Sequence, residues 1–505
     1  MNTNKFLTSS SVVLAVVLLT VVSQEKAKAQ ESIPGIPNVA PPATVVKNRS
    51  PIELKPLEVN IPPAKEGMLP NGSRVFIVED RRTPLVTVSV SPKAGSLYEA
   101  GDKQGVADMV ASTLLEGTKS YSADQISKLT DKYGANIGAG AGDERASVTL
   151  TCLSGNLAEL LPVLVELVYA PVFPEDRVER VRARAQAGAT ARQSDPNSLA
   201  SDALRAALYG KETPYGRPSV TSDQIGLITI AEMKSFHTSH FRPDTAIIGV
   251  SGDVDAKEIL QMLKVVFGSQ AKPAEAVVAL PPVMMASRKE MQGTVPAPVV
   301  IDRPGSAQSV LSFGVPGIRR SDPDYFALLL ANRILGGGFN SRLNQKLREE
   351  KGYTYGARSS FSSPKWVGIW SASASVRNAV TGEATTDFLS EFSRLQTTPP
   401  KQGELDLVKQ SLIGNFALTL ESPQAVLARS IERYEYDLPT DYWRNYANRV
   451  RSVTPADVSR VARKYLGKGG DPNSASAPRV WVVVVGEKSA IEPAVIKATS
   501  ISPTQ

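Results

Sequence analysis

Histidine and cysteine are almost missing from this chain: among 505 residues there are two histidines, His237 and His240, and one cysteine, Cys152. A lone cysteine excludes an intrachain disulfide and any site built on paired thiolates. Within SVTLTCL (Ser147 to Leu153) it reads as a small buried hydrophobe on a strand. His237 and His240 fall three positions apart in KSFHTSHF. A shared metal is one reading of them. Zinc needs three or four protein ligands, however, and no acid flanks the pair closely before Asp244, so packing beside a buried strand is the other. No apolar run reaches the roughly 20 residues that a membrane-spanning helix needs. The glycine run Gly336 to Gly338 lacks a following GK[ST], which argues against a phosphate-binding loop. The net charge of +7 is spread along the chain without a basic block, so nucleic acid is not an expected partner.

What is present begins with an export signal. Lys5 opens a short positive region, Val12 to Leu19 is an apolar core, and Ala27, Lys28 and Ala29 form an AxA cleavage site. The expectation is a signal peptide over 1–29, cleavage after Ala29, and a periplasmic or secreted protein. Loss of Lys5, Lys26 and Lys28 against Glu25 lowers the net charge to +5. Residues 30–66 are a proline-rich lead-in without periodicity.

Folding is expected to start near Met68. Arg74 to Val78 and Leu85 to Val90 read as the strands of a hairpin. Helical patterns follow over Gly105–Leu115, Ala123–Tyr133, Leu157–Tyr169, Glu175–Gln193, Ile230–His240 and Ala256–Phe267, with strands at Ala146–Leu153 and Thr245–Ser251. Gly138, Ala139, Gly140 and Ala141 form an extended small-residue edge, which reads either as a plain turn region or as a place where an extended peptide adds as a strand. Residues 270–293 lose this order and read as a linker. Landmarks then recur about 220 residues on. SKLTDKYGANIGA (Ser127 to Ala139) matches QKLREEKGYTYGA (Gln345 to Ala357), and ITIAEM (Ile228 to Met233) matches VTPADV (Val453 to Val458). The expected architecture is therefore α+β: two homologous domains, 67–269 and 294–488, each a mainly antiparallel sheet flanked by helices, facing across a cleft, with a tail at 489–505.

The most informative stretch is Leu335 to Ser359, LGGGFNSRLNQKLREEKGYTYGARS. Three glycines end one helix and let backbone approach a neighbour or ligand. Asn340 or Ser341 caps the next helix, Leu343 and Leu347 share a face, and Gly352 stops it. Tyr353 to Ser359 then reads as a strand. Arg348 near the helix end and Tyr355 on the strand can converge on one point, and a guanidinium with a phenol aimed at one oxygen suits an oxyanion formed from a substrate carbonyl. The plain alternative is a solvated arginine near a helix terminus and a packing tyrosine.

These residues resemble the pitrilysin/insulinase-type (M16) zinc peptidases, including the processing peptidases, over about Leu69 to Gly486. The landmarks are LPNGSRVFIVED, Ala94 to Ser96, GVADMVASTLLEGT, Asp195 with Pro196, and the GGGFNSRLNQKLREEKGYTYG stretch. The resemblance implies that Arg348 and Tyr355, seven positions apart, contact the substrate carbonyl and stabilise the tetrahedral intermediate. Gly336, Gly337, Gly338 and Asn344 are expected around the bound substrate. Asn344 stands where the family commonly has an aromatic, so that part of the pocket is expected to differ.

The family's inverted zinc motif, HxxEH, falls in GVADMVASTLLEGT, where this chain has Asp108, Ala111 and Ser112. A lone carboxylate and a hydroxyl are a poor zinc pair, and Ala111 takes no proton from water. The distal family glutamate has no counterpart, since Arg180 to Ser194 contains no acid. No metal is therefore expected in this chain. Two functions remain open. The chain is either the metal-free subunit of a two-chain peptidase whose zinc-bearing partner carries HxxEH and which cleaves unfolded peptides, or a noncatalytic peptide-binding or scaffold protein with the same fold.

Overall fold

The computed structural model describes residues 61–280, 297–366, 368–467 and 479–500. The signal peptide, most of the lead-in and the second part of the linker lie outside the described residues.

The first half runs β1 (Lys65–Met68), β2 (Arg74–Glu79), β3 (Leu85–Ser91), α1 (Val106–Thr113), α2 (Ala123–Tyr133), β4 (Asn136–Ala141), β5 (Ala146–Leu153), α3 (Leu157–Tyr169), α4 (Glu175–Ser194), α5 (Pro196–Tyr209), α6 (Ser222–Leu227), α7 (Ile230–His240), β6 (Ile247–Gly252) and α8 (Ala256–Phe267). The second runs β7 (Val299–Asp302), β8 (Gln308–Pro316), α9 (Tyr325–Leu335), then α10, which is α-helical over Arg342–Asn344 and a π-helix over Gln345–Glu350. It continues with β9 (Ala357–Phe361), β10 (Ile369–Arg377), α11 (Thr381–Thr397), α12 (Gln402–Thr419), α13 (Pro423–Glu435), α14 (Tyr446–Ser452), α15 (Pro455–Leu466), β11 (Trp481–Gly486) and α16 (Lys488–Ser500).

Two sheets result, ordered β1-β2-β6-β3-β5-β4 and β7-β11-β8-β10-β9. Apart from β1 they are the same sheet built twice. In each, one parallel pair (β2 with β6, β7 with β11) adjoins a run of antiparallel pairs. The recurring sequence landmarks sit at matching places: α2 leading into β4 corresponds to α10 leading into β9. Capping boxes at Thr229 with Glu232 and at Thr454 with Asp457 open the equivalent helices α7 and α15.

Several expectations need correction. The strands Arg74–Val78 and Leu85–Val90 do not pair as a hairpin, because β6 lies between them, parallel to β2 and antiparallel to β3. All six residues of β6 are buried, and a strand apolar on both faces belongs at the centre of a covered sheet. Lys65 and Glu66, assigned to the lead-in, already form β1. The supposed tail is α16, which packs on α11 through buried Ile491, Val495 and Ala498. The strand expected from Tyr353 begins only at Ala357, where the ladder to β10 starts.

Helix α5, for which sequence periodicity gave no assignment, decides how the halves join. Asp195 caps it, accepting from the amides of Asn197 and Ser198, and Pro196 occupies its first turn. It leaves its own half and packs on β8 and β11, where Ala200, Leu204 and Leu208 meet Val310, Val483 and Val485. In return α13 packs on β2 and β6, with Val426 and Leu427 against Phe76, Val78 and Ile247. Each exchanged helix lies over a glycine. A Cβ at Gly314 would come within 3.0 Å of Leu204, and one at Gly249 within 3.0 Å of Leu427. Each sheet is thus covered by its own helices on one face and by the other half's helix on the other. Every leucine buried there is worth about 1.5–3 kcal/mol.

Candidate functional site

The Arg348 and Tyr355 segment hangs from two fully buried leucines, Leu343 and Leu347, which fix α10 on the core and turn Arg348 outward. The Arg348 guanidinium lies 4.8 Å from the centre of the Phe339 ring, and its Nε is 3.3 Å from Glu349 Oε1. Tyr355 stands on the turn before β9 and not on the strand, 95% exposed. Thr354 ties that turn: its hydroxyl donates to the Gly356 carbonyl and accepts from the Gly356 amide. No hydrogen bond joins Arg348 to Tyr355 among the described residues. Both side chains are instead presented from a pinned backbone.

Asn344 does the pinning. It is buried, its Nδ2 donates to the Phe339 carbonyl at 2.7 Å, and its Oδ1 accepts from the Ala357 amide at 3.2 Å. Read as a substrate contact, Asn344 has both amide atoms already committed to the protein. Gly336 and Gly337 are also structural. Added Cβ atoms would meet the Ser359 amide at 2.5 Å and Asn332 Nδ2 at 2.9 Å, so Gly336 lets the end of α9 lie against β9 and Gly337 lets the chain fold back on the last turn of α9. Gly338 alone of the three has open space around its Cα. Phe339, which the sequence reading did not single out, is two-thirds exposed and supplies the ring beside Arg348. Its only sequence signal was an aromatic directly after the glycine run.

The second locus lies along α1. Gly105, at φ 92°, opens this helix, and the buried Glu99 carboxylate accepts the Ala107 amide at 2.8 Å. Burial pushes Glu99 up to about 7. Asp108 and Ser112 are the solvent-reaching residues of α1, while Ala107, Val110 and Ala111 are fully buried. They line a cavity of about 510 Å³ together with Ala139 of β4 and Ala185, Gly188 and Arg192 of α4. A second cavity of about 240 Å³ shares Gly105, Asp108, Arg192 and Val220 and adds Arg205 and Arg217. Asp108 lies deep in this concave space although water reaches it. Burial raises its carboxyl, and Arg192 opposes the shift.

These residues do not fit zinc. Asp108 is the one carboxylate on the α1 face, Ser112 is a neutral hydroxyl, Ala111 is a buried methyl, and α4 offers Ala185, Gly188 and a guanidinium where a donor is needed. Among the described residues no three His, Cys, Asp or Glu side chains are grouped to hold a metal ion. His237 and His240 do not form a centre either. His237 Nε2 lies 2.8 Å from the Val168 carbonyl and its ring stacks on Phe241, while His240 packs on Phe236 and Tyr98. Burial holds His237 down at about 4, so it stays neutral. Cys152 is buried on β5, and burial pushes its thiol up.

With this geometry in place, the comparisons with known proteins are specific. Residues 74–220 match the model for insulinase (peptidase family M16), and residues 227–412 match the model for the peptidase M16 inactive domain. The chain belongs to the M16 family of peptidases. It is 24% identical over 408 residues to an uncharacterized zinc protease of Streptomyces coelicolor, covering 79% of this chain and 86% of that protein. It is 27% identical to one of Mycobacterium tuberculosis, covering 79% and 90%. A peptidase M16 inactive domain structure from Pseudomonas fluorescens superposes with a TM-score of 0.73 at 27% identity, covering 84% of this chain and 98% of that one. A chain of complex III2 from Candida albicans has the same fold, with a TM-score of 0.68 at 16% identity over 86% of this chain and 100% of its own.

Proposed function

We propose that this chain is the metal-free subunit of an exported two-chain M16 peptidase, active in the periplasm or outside the cell. A companion chain with intact HxxEH supplies zinc and the general base. This chain contributes Arg348 and Tyr355 to the carbonyl of an unfolded peptide. The observation that carries the reading is a division within one molecule: the α1 cleft lacks the donor set that would hold a zinc ion and its water, yet Arg348 and Tyr355 stand on a clasped loop, Tyr355 fully outward and Arg348 engaged only by its neighbour Glu349 and the Phe339 ring. Guanidinium and phenol donors are suited to a developing oxyanion. The chain alone should not cleave peptides. Mixed with a zinc-bearing M16 chain it should yield activity that Arg348→Ala or Tyr355→Phe lowers by about 10- to 1,000-fold. Unchanged turnover in both variants would remove the catalytic role.

A noncatalytic peptide-binding scaffold is the second reading. It is favoured by β4, which is an edge strand with open space over Gly138 and Gly140, so an extended peptide can pair along it. Peptide binding without turnover in any mixture of subunits is what this reading expects.

A further inference from the structure

The cleft along α1 lacks metal donors and carries guanidinium groups, and among the described residues none of these groups forms a close ion pair, although Arg192 acts on Asp108 and Arg217 on Glu99 through space. Arginines elsewhere in the first half mostly pair with acids, as Arg82 does with Asp80, Arg177 with Asp124, Arg184 with Glu116 and Arg242 with Asp244. Those of the smaller cavity do not. Arg205 Nε donates to the Tyr215 carbonyl at 3.0 Å, and Arg217 Nη1 donates to the Glu99 carbonyl at 3.0 Å. The Arg192 guanidinium makes no hydrogen bond or ion pair among the described residues. Bonds to neutral carbonyls hold two of these side chains in place without cancelling their charge, and each guanidinium keeps further N–H donors.

We propose that this cavity binds the carboxylate of a peptide, with Arg192, Arg205 and Arg217 as its cationic wall. Three features select that ligand. A volume of about 240 Å³ admits a group the size of one residue. Glu99, Asp108 and Asp143 also line the space, so a doubly charged phosphate meets repulsion, whereas a singly charged carboxylate whose chain carries N–H groups finds acceptors beside the arginines. The adjoining cavity of about 510 Å³, which shares Asp108 and Arg192, reaches Ala139 on the open edge of β4, so a peptide paired along that strand leads toward Arg192. The carboxylate comes from the peptide's C-terminus or from an acidic side chain. The site needs no companion subunit and no metal, so it stands apart from the catalytic pairing proposed above.

The test uses the mature chain in low-salt buffer with EDTA and three fluorescein-labelled, alanine-rich peptides: one with a free carboxyl terminus, one amidated, and one amidated with a central glutamate. By fluorescence anisotropy the free-terminus peptide should bind about 10-fold or more tightly than the amidated one, the loss expected when a charge-assisted contact is removed. Equal binding of the glutamate peptide would support the site and assign the carboxylate to a side chain. Arg192→Met should abolish the preference and Arg192→Lys should retain part of it, with unfolding temperatures little changed because the Arg192 guanidinium donates no hydrogen bond to another described residue. Arg348→Ala should leave the affinities as they are. The proposal is overturned if amidation changes nothing and glutamate does not help, if no peptide binds up to millimolar concentration, or if Arg348→Ala weakens binding while Arg192→Met does not.

Discussion

Asn344 holds two loops with one amide, one carrying Phe339 and the other carrying Tyr355 toward β9. Asn344→Ala leaves the part-buried Phe339 carbonyl and the buried Ala357 amide without this partner, at a cost of about 1–3 kcal/mol. Urea denaturation should register that loss. Two buried titratable residues give pH signatures of opposite sign. His237 is held at about 4 against an ordinary 6.5, so the unfolded chain takes up a proton that the native protein refuses. As pH falls from about 6.5 to 4 this residue should remove up to about 3 kcal/mol of stability. His237→Phe, which keeps the ring contacts, should flatten the acid limb of a stability-versus-pH curve. Glu99 is raised from 4.5 to about 7, so its favourable contribution is complete below about 4.5 and lost as pH rises through 7. Glu99→Gln keeps an acceptor for the Ala107 amide. It should therefore raise the free energy of unfolding at pH 8 by about 1–3 kcal/mol, with little change at pH 4, as read by urea denaturation at the two pH values.

At the scale of elements, α1 and α4 together decide whether a metal can be held. Restoring the motif on α1 alone, as Asp108→His, Ala111→Glu and Ser112→His, creates two imidazoles but leaves α4 with Ala185, Gly188 and Arg192 opposite them. That triple variant should purify with well below one equivalent of zinc by elemental analysis. Gly188→Glu, added to it, should raise the zinc content, because nothing lies within 4 Å of a Cβ built at Gly188 and the new carboxylate would supply the missing acid. If the triple variant alone binds zinc stoichiometrically, α4 plays no part in excluding the metal. The strand edge at β4 and the turn at Thr354 to Gly356 show the same dependence on neighbours: each is legible as a small-residue segment, and its use depends on what faces it.

At the scale of the whole molecule, the exchanged helices α5 and α13 make the two halves one folding unit. Gly314→Val should push Leu204 and Leu208 off β8 and cost about 1–3 kcal/mol, with a single unfolding transition retained. Residues 61–280 produced alone would leave Leu204 and Leu208 of α5 uncovered, along with Phe76, Val78 and Ile247 of the sheet. Such a fragment should bind the dye ANS and aggregate, and a monomeric, cooperatively folding fragment would show that the exchange is dispensable.

Sequence by itself determined what local chemistry controls: most helices and strands, the duplication, and Arg348 near a helix end with its Gly352 stop, while the departure from the zinc motif at Asp108, Ala111 and Ser112 was legible only through the family resemblance. Side-chain spacing and capping chemistry are written residue by residue, so these features survive without a fold. Only the tertiary structure decided which strand lies beside which, that α5 and α13 cross between halves, that Asn344 and Gly336 serve packing, and that three arginines distant in sequence line one cavity. Those outcomes rest on burial and on contacts between segments far apart along the chain, which no local pattern encodes.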